Sequence, residues 1–209
     1  MASASGQTDA QQRRALKKAE QILQGATQVF LTQGYDRASM DQVAKTAGVS
    51  KKTLYTYFED KQALFKAFVE SMAKQRFQEA FEEQNLEGSP DVVLPQLIQQ
   101  SLARLTQNTE YHDFIRSLIG ESKRFPDLTQ VFFRNVTVPS IETISHYLSH
   151  HPELEIPDTE ATAHVLLGAL VFFMLTQEVM AGKNIFPMTQ ERLSASLIHL
   201  LGISSELQA

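Results

Sequence analysis

The chain has 209 residues, 43% of them apolar and 21% charged, with no cysteine; that composition excludes wholesale disorder, a disulfide framework, a zinc finger, an iron–sulfur cluster and a thiol nucleophile. The net charge of −5 argues against a nucleic-acid partner, yet residues 1–66 carry ten Lys/Arg against six Asp/Glu while the rest carries nine against eighteen. A basic head on an acidic body suits a nucleic-acid reader joined to a second module.

The opening MASASGQTDAQQ lacks the apolar core of a signal peptide, and residues 1–12 read as a disordered tail. From Arg13 to Gln33, Leu16, Ala19, Leu23, Ala26 and Phe30 recur at helical steps, with Ile22 and Val29 widening the stripe, and Gly34 stops the helix. Ser39 with Gln42 has the form of a capping box and opens a short helix through Ala47. Gly48 ends it, and Ser50 caps a third helix running through Tyr57 or Phe58. Two short helices joined by a tight glycine turn form a helix-turn-helix layout.

Asp60 suits the cap of a fourth helix, Lys61 to about Glu83, and Ser89-Pro90 the cap and first position of a fifth, to about Thr106. A sixth spans roughly Glu110 to Lys123, and a seventh starts at Pro126 and is kinked or divided at Pro139. After a linker from His151 to Asp158, two helices close the chain, Thr159 to about Ala181 and Thr189 to Leu201. The longest apolar run, Val165 to Leu175, falls short of the ~18 residues of a spanning helix and reads as a buried one. The fold is therefore all-α with about nine helices: a helix-turn-helix domain over 13–60 and a helical domain over 61–209.

On a wheel of residues 50–58, Leu54 and Phe58 share one side with Tyr57 and Ser50, and Lys52 and Thr56 point away, flanked by Thr53 and Tyr55. The outward half offers an amine, hydroxyls and a phenol to base edges, and Lys51 can swing to a base or a phosphate. Ser39, Lys45, Tyr57 and Lys61 lie where they can grip the DNA backbone and fix register.

Ile22-Leu23-x-x-Ala26, Phe30, Gly34-Tyr35, Ser39-Met40, Val43-Ala44, the block Ala47-Gly48-Val49-Ser50-Lys51-Lys52-Thr53-Leu54-Tyr55, Tyr57-Phe58, Lys61 and Leu64 together resemble the DNA-binding head of the TetR family of transcriptional regulators. Glu121, Arg124-Phe125-Pro126 and Leu128 resemble the regulatory domain of its AcrR/AefR-like branch. The resemblance implies that Lys51, Lys52, Thr53 and Thr56 face bases and that Ser39, Lys45, Ser50, Tyr55, Tyr57 and Lys61 contact phosphates. Lys52 and Thr56 depart from the small and the aromatic residue common at those positions, so no known operator is transferable.

The resemblance also implies that 61–209 is the regulatory, ligand-binding and dimerisation domain of a cytoplasmic homodimer on a pseudo-palindromic double-stranded DNA operator, with Val165, Leu166, Ala169, Leu170, Phe173, Leu193, Leu197, Leu200 and Leu201 at the dimer interface. A nine-residue reading helix touches few base pairs, so a second copy is needed for useful specificity. A hydrophobic or aromatic effector would release this repressor from its operator. Its pocket would be walled by Phe77, Phe81, Phe114, Phe132, Phe133 and Phe172, with Arg116, His164, Met174 and Gln177 as softer or polar contacts. Two alternatives stand beside that reading, a DNA-binding dimer with no small effector and a helical small-molecule-binding protein with a vestigial head.

His146 and His150 are four apart with His151 adjacent, a spacing able to bind metal, but at a helix C-terminus the dipole favours imidazolium by itself. The expectation is no metal, no cofactor and no membrane partner. Absent G-x-S-x-G, P-loop, G-x-G-x-x-G and H-E-x-x-H motifs, the chain is not expected to be an enzyme.

Overall fold

The computed structural model describes residues 3–78 and 86–203, with side chains from Gln11 onward. Among these residues the secondary structure is entirely helical. Ten α-helices are present, and because α7 runs through a π turn into α8 they form nine rods among the described residues.

The chain divides into two compact units, Met1–Met72 with Ser117–Leu128, and Ala73–Arg116 with Thr129–Ala209. The first unit thus runs beyond residue 60, to Met72. Leu64, Phe65, Phe68, Val69 and Met72 of α4 (Lys61–Phe77) are all buried. Phe65 and Phe68 pack on Phe30 at ring-centroid distances of 5.0 and 5.5 Å, which makes the first half of α4 part of the head.

In the head unit α1 spans Ser3–Arg37, starting earlier than Arg13. Side chains from Gln11 to Lys17 are all exposed, so this first stretch owes its helix to local propensity rather than packing. Leu16, expected on the buried stripe, is 64% exposed; the buried face begins at Ile22 and continues through Gly25, Ala26, Val29 and Phe30. Gly34, at φ +73°, breaks the helix where glycine was expected to stop it. The Ser39 capping box opens α2 (Met40–Thr46): Ser39 Oγ accepts from Gln42 N at 3.2 Å, and Gln42 Oε1 accepts from Ser39 N at 2.9 Å. Ser50 Oγ accepts from Thr53 N at 3.0 Å to open α3 (Lys51–Tyr57), and Asp60 Oδ1 caps α4 through Ala63 N at 2.7 Å. Residues 117–128 close the unit, with the Phe125 ring edge-on to Tyr35 at 4.9 Å and Arg124 paired with Asp36.

The second unit is built from the rest of α4 and α6 (Thr109–Glu121) with α5 (Pro90–Gln107), α7 (Pro126–Phe132), α8 (Val138–Ser149), α9 (Thr159–Met174) and α10 (Gln190–Leu200). Its core joins Leu94, Ile98 and Leu102 of α5, Ile144 and Leu148 of α8, Leu166, Leu170 and Phe173 of α9, and Leu197 and Ile198 of α10. Ser89 precedes α5 but its side chain makes no cap bond; its carbonyl accepts from Val92 N and Val93 N instead. Pro139 stands in the first turn of α8, where helical backbone continues from the turn before it. A π turn at Phe133–Thr137 lies just ahead of it, and a wider turn absorbs the missing N–H and the bulk of the ring.

By length and composition alone, Thr159–Val179 is also the one stretch among the described residues apolar enough to cross a membrane. The eleven-residue run inside it is only half buried: Leu166, Leu170, Phe173 and Met174 face the core, while Val165 and Phe172 are 62% and 68% exposed.

Candidate nucleic-acid interface

The reading helix is positioned by close packing of α2 on α1. A Cβ built at Gly25 would stand 2.7 Å from Ala47 Cβ and 2.8 Å from Ala47 Cα and N, so only glycine lets α1 pass the C-terminus of α2 at this distance. Gln21 of α1 reinforces the crossing by donating from Nε2 to the Ala47 carbonyl at 2.6 Å. Gly48 takes φ +64°, the left-handed turn that sends the chain into α3. Sequence reasoning missed Gly25 and Gln21. The available signal was a glycine in the middle of an otherwise good helix, which costs about 1 kcal/mol against alanine and needs a packing reason.

Leu54 is fully buried and anchors α3, while Lys51, Lys52, Tyr55 and Thr56 are exposed and Thr53 and Tyr57 are half-buried. Lys52 makes no ion pair among the described residues, and Thr56 donates its hydroxyl proton to the Lys52 carbonyl at 2.9 Å. Lys51 is held: its ammonium lies 2.7 Å from Asp41 Oδ1. That pairing raises the Lys51 pKa above its ordinary value, chiefly through the hydrogen bond to the carboxylate.

Among the expected phosphate contacts, Lys45 and Tyr55 are exposed, whereas both serines are occupied as caps and Ser39 also donates to Gln42 Oε1 at 2.9 Å. Lys61, also expected at a phosphate, is engaged within the head. Its ammonium donates to the carbonyls of Tyr35, Asp36 and Ala38 at 2.8, 3.3 and 3.0 Å and sits 4.3 Å from the Tyr35 ring centroid. These bonds tie the ammonium to the turn between α1 and α2, and a phosphate would have to compete with them.

In the second unit the expected pocket residues separate. Phe114 and Met174 are buried, Phe114 packing on Phe132 at 5.6 Å, and Phe77 is half-buried. Gln177 is buried but already bonded, accepting from Met188 N at 3.1 Å and donating to the Phe186 carbonyl. Arg116 donates to the Glu178 and Val179 carbonyls and pairs with Asp113, so it ties off the end of the π turn after α9. His164, Phe133 and Phe172 are exposed. Phe81 lies outside the described residues.

The expected dimer residues separate as well. Leu166, Leu170, Phe173, Leu197 and Leu201 are buried in the unit's own core, and Ala169 and Leu193 are half-buried. Val165 and Phe172 stand bare on the outer face of α9, and Leu200, at the end of α10, is exposed as well. A Cβ at Gly168, also on α9, would meet nothing within 4 Å.

An open cleft of about 790 Å3 is lined by Glu87, Glu142, His146, Tyr147, His150 and His151 among others, none of them expected pocket residues. The His146 and His150 rings lie 4.4 Å apart. Glu142, one turn before His146, is a neighbouring carboxylate that sequence reasoning overlooked. Among the described residues no group of three His, Asp or Glu side chains is arranged to hold a metal ion.

Comparison with known proteins finds a family match in each part of the chain. Residues 22–68 match the family described as bacterial regulatory proteins of the tetR family, and residues 92–198 match the C-terminal domain of AefR-like transcriptional repressors. An uncharacterised helix-turn-helix regulator of Bacillus subtilis, YhgD, is 43% identical over 61 residues, covering 29% of this chain; the chain spans only 32% of its length. The crystal structure of a TetR-family regulator from Mesorhizobium loti superposes with a TM-score of 0.75 at 24% identity, covering 90% of this chain and 96% of that one. A protein described as the flavonoid-responsive regulator FrrA superposes with a TM-score of 0.68 at 25% identity, covering 88% and 95%. With a family match at each end and one fold throughout, the chain belongs to the TetR family of bacterial regulatory proteins, with an AefR-like C-terminal domain.

Proposed function

We propose that the protein is a cytoplasmic, sequence-specific DNA-binding transcriptional regulator that acts as a homodimer. One observation carries the reading: in α3, Leu54 is wholly buried while Lys51, Lys52, Tyr55 and Thr56 are bare. A short helix anchored on one side and lined with donors on the other is what a major groove accepts. Lys51, Lys52, Thr53 and Thr56 would read bases, and Lys45, Tyr55 and Tyr57 would hold phosphates.

A dimer is supported by exposed apolar side chains, Val165 and Phe172 on the outer face of α9 and Leu200 at the end of α10. Each exposed side chain of this size forfeits about 1.5–3 kcal/mol of burial that a second copy would recover. The open surface at Gly168 would let the partner's helix come close. Repression is the direction favoured by the AefR-like domain, whose family is described as repressors. A hydrophobic or aromatic effector suits the inward rings of Phe114 and Phe132, and FrrA, of similar fold, is described as flavonoid-responsive. Effector binding would release the operator by preferring the conformation that does not bind DNA.

Selecting duplexes from a randomised double-stranded library with the full chain tests the reading. The expected product is an imperfect palindrome bound at least about 10³-fold more tightly than random duplex, in a salt-dependent manner. Enrichment of no sequence would overturn it. For the effector, hydrophobic and aromatic compounds, flavonoids included, are screened by thermal shift, and those that stabilise the protein must also weaken its DNA binding.

A further inference from the structure

Lys51 is the first residue of α3, and Lys52 follows it directly. The first turn of α3 holds no acid, so the positive end of the helix and the neighbouring amine both push the Lys51 ammonium away. Its direction is set from the other helix. Asp41, second residue of α2, reaches across the turn to within 2.7 Å of Lys51 Nζ. Two other acids of the head are engaged elsewhere: Asp36 pairs with Arg124, and Asp60 caps α4.

The Asp41 and Lys51 side chains are 68% and 58% exposed, so the pair adds little to stability. Its value lies in direction. An ammonium has three donors; one goes to Asp41, and two remain, enough for O6 and N7 of a guanine. The carboxylate also places a negative charge beside the duplex, which weakens binding that rests on phosphates alone.

We propose that Asp41 is a positioning residue for the base-reading Lys51, exchanging overall DNA affinity for discrimination at one base pair in each half-site. This rests on the DNA-reading function proposed above. The test uses the full chain with two probes: the duplex that the wild type selects from a randomised library, and random duplex of equal length. Asp41→Asn is expected to bind random duplex more tightly, with a salt slope steeper by about one. Its discrimination at one base pair per half-site is expected to fall about tenfold. Asp41→Glu should keep most of the wild-type discrimination. Lys51→Ala should lose discrimination at the same base pair, and adding Asp41→Asn to it should cost nothing more there. Equal tightening on both probes, with discrimination intact, would reduce Asp41 to simple repulsion and overturn the proposal. A discrimination loss from Asp41→Asn that persists in the Lys51→Ala background would overturn it too, because Asp41 would then act on a base directly. If the wild type enriches no sequence, the DNA-reading function itself fails, an outcome distinct from both.

Discussion

Gly25→Ala is the sharpest test of how the head is assembled. The new methyl would lie 2.7 Å from Ala47 Cβ and 2.8 Å from Ala47 Cα and N. Heavy atoms in contact settle near 3.5–4.0 Å, so α1 and α2 must separate by about 1 Å. Two of the three opposing atoms are backbone, and no rotamer change can move them aside. Overpacking of this kind costs roughly 1–3 kcal/mol, against about 1 kcal/mol gained from replacing glycine by alanine in a helix. The expected net loss is about 0–2 kcal/mol, read as a Tm lowered by up to about 8 °C at fixed protein concentration for a protein of this size. DNA binding should weaken further than stability alone explains, because the same separation displaces α3. Ala47→Gly in the Gly25→Ala background removes the Cβ contact and leaves the other two, so it should recover less than half of the loss. Gly120→Ala is the control: it lies in α6 with nothing within 4 Å, and it should stabilise slightly. A Gly25→Ala protein as stable as wild type, binding DNA as well, would refute the account of the crossing.

Lys61→Met should orphan three carbonyls and lower the stability of the head, yet leave the slope of log Kd against log salt unchanged; a slope reduced by about one would restore Lys61 as a phosphate contact. Phe172→Glu should shift the protein toward monomer in sedimentation velocity with little change in helix content. Phe173→Ala, one position along and 6% exposed, should instead lower stability by roughly 3–5 kcal/mol, and a Phe172→Glu protein that stays dimeric would remove the outer face of α9 from the interface. The Tyr111 phenol is pushed up to about 12 by burial, against the opposing effect of Arg76, whose guanidinium lies 5.0 Å from the ring centroid. Unfolding exposes a phenol that ionises near 10, so its stabilising effect is complete below pH 10 and is lost as pH rises toward 12, by about 1.4 kcal/mol per unit. Tyr111→Phe should flatten that alkaline slope in urea titrations; a slope of equal steepness would assign the loss to other groups.

Local chemistry made most of the head legible in the sequence. Capping at Ser39, Ser50 and Asp60 acts over three residues, and the breaks at Gly34 and Gly48 are properties of single residues, so each was readable without knowing the fold. What was not readable there involves partners far apart in the chain. Lys61 reaches back 23 to 26 residues to its carbonyls, and Gln21 forward 26 to Ala47. Nothing in either local pattern distinguishes a surface amine from a clamp. The same limit explains the boundary: the early turns of α4 carry an apolar stripe that serves the head core, and a stripe does not name the domain it packs against.

Helical periodicity reaches a different limit in α9. Val165, Leu166, Ala169, Leu170, Phe172 and Phe173 are equally acceptable as core, and the sequence distributed them between dimer and pocket roles. Folding divides them by angle instead: Leu166, Leu170 and Phe173 point inward, and Val165 and Phe172 point out. A helix apolar on every side must meet apolar surface on every side, and the unit's own core covers only one of them. The π turn at Leu175–Val179 extends the outer stripe. Eight residues from Phe172 to Met180 would turn an α-helix by about 800°, and the extra residue of a π turn takes back about 100°. Met180 then falls within about 20° of Phe172, and it is 74% exposed. On this geometry Met180 lies in line with the bare face of α9, past the end of the helix. Phe172→Glu and Met180→Glu should weaken the same association, whereas Met174→Ala, on the buried side, should act on stability alone.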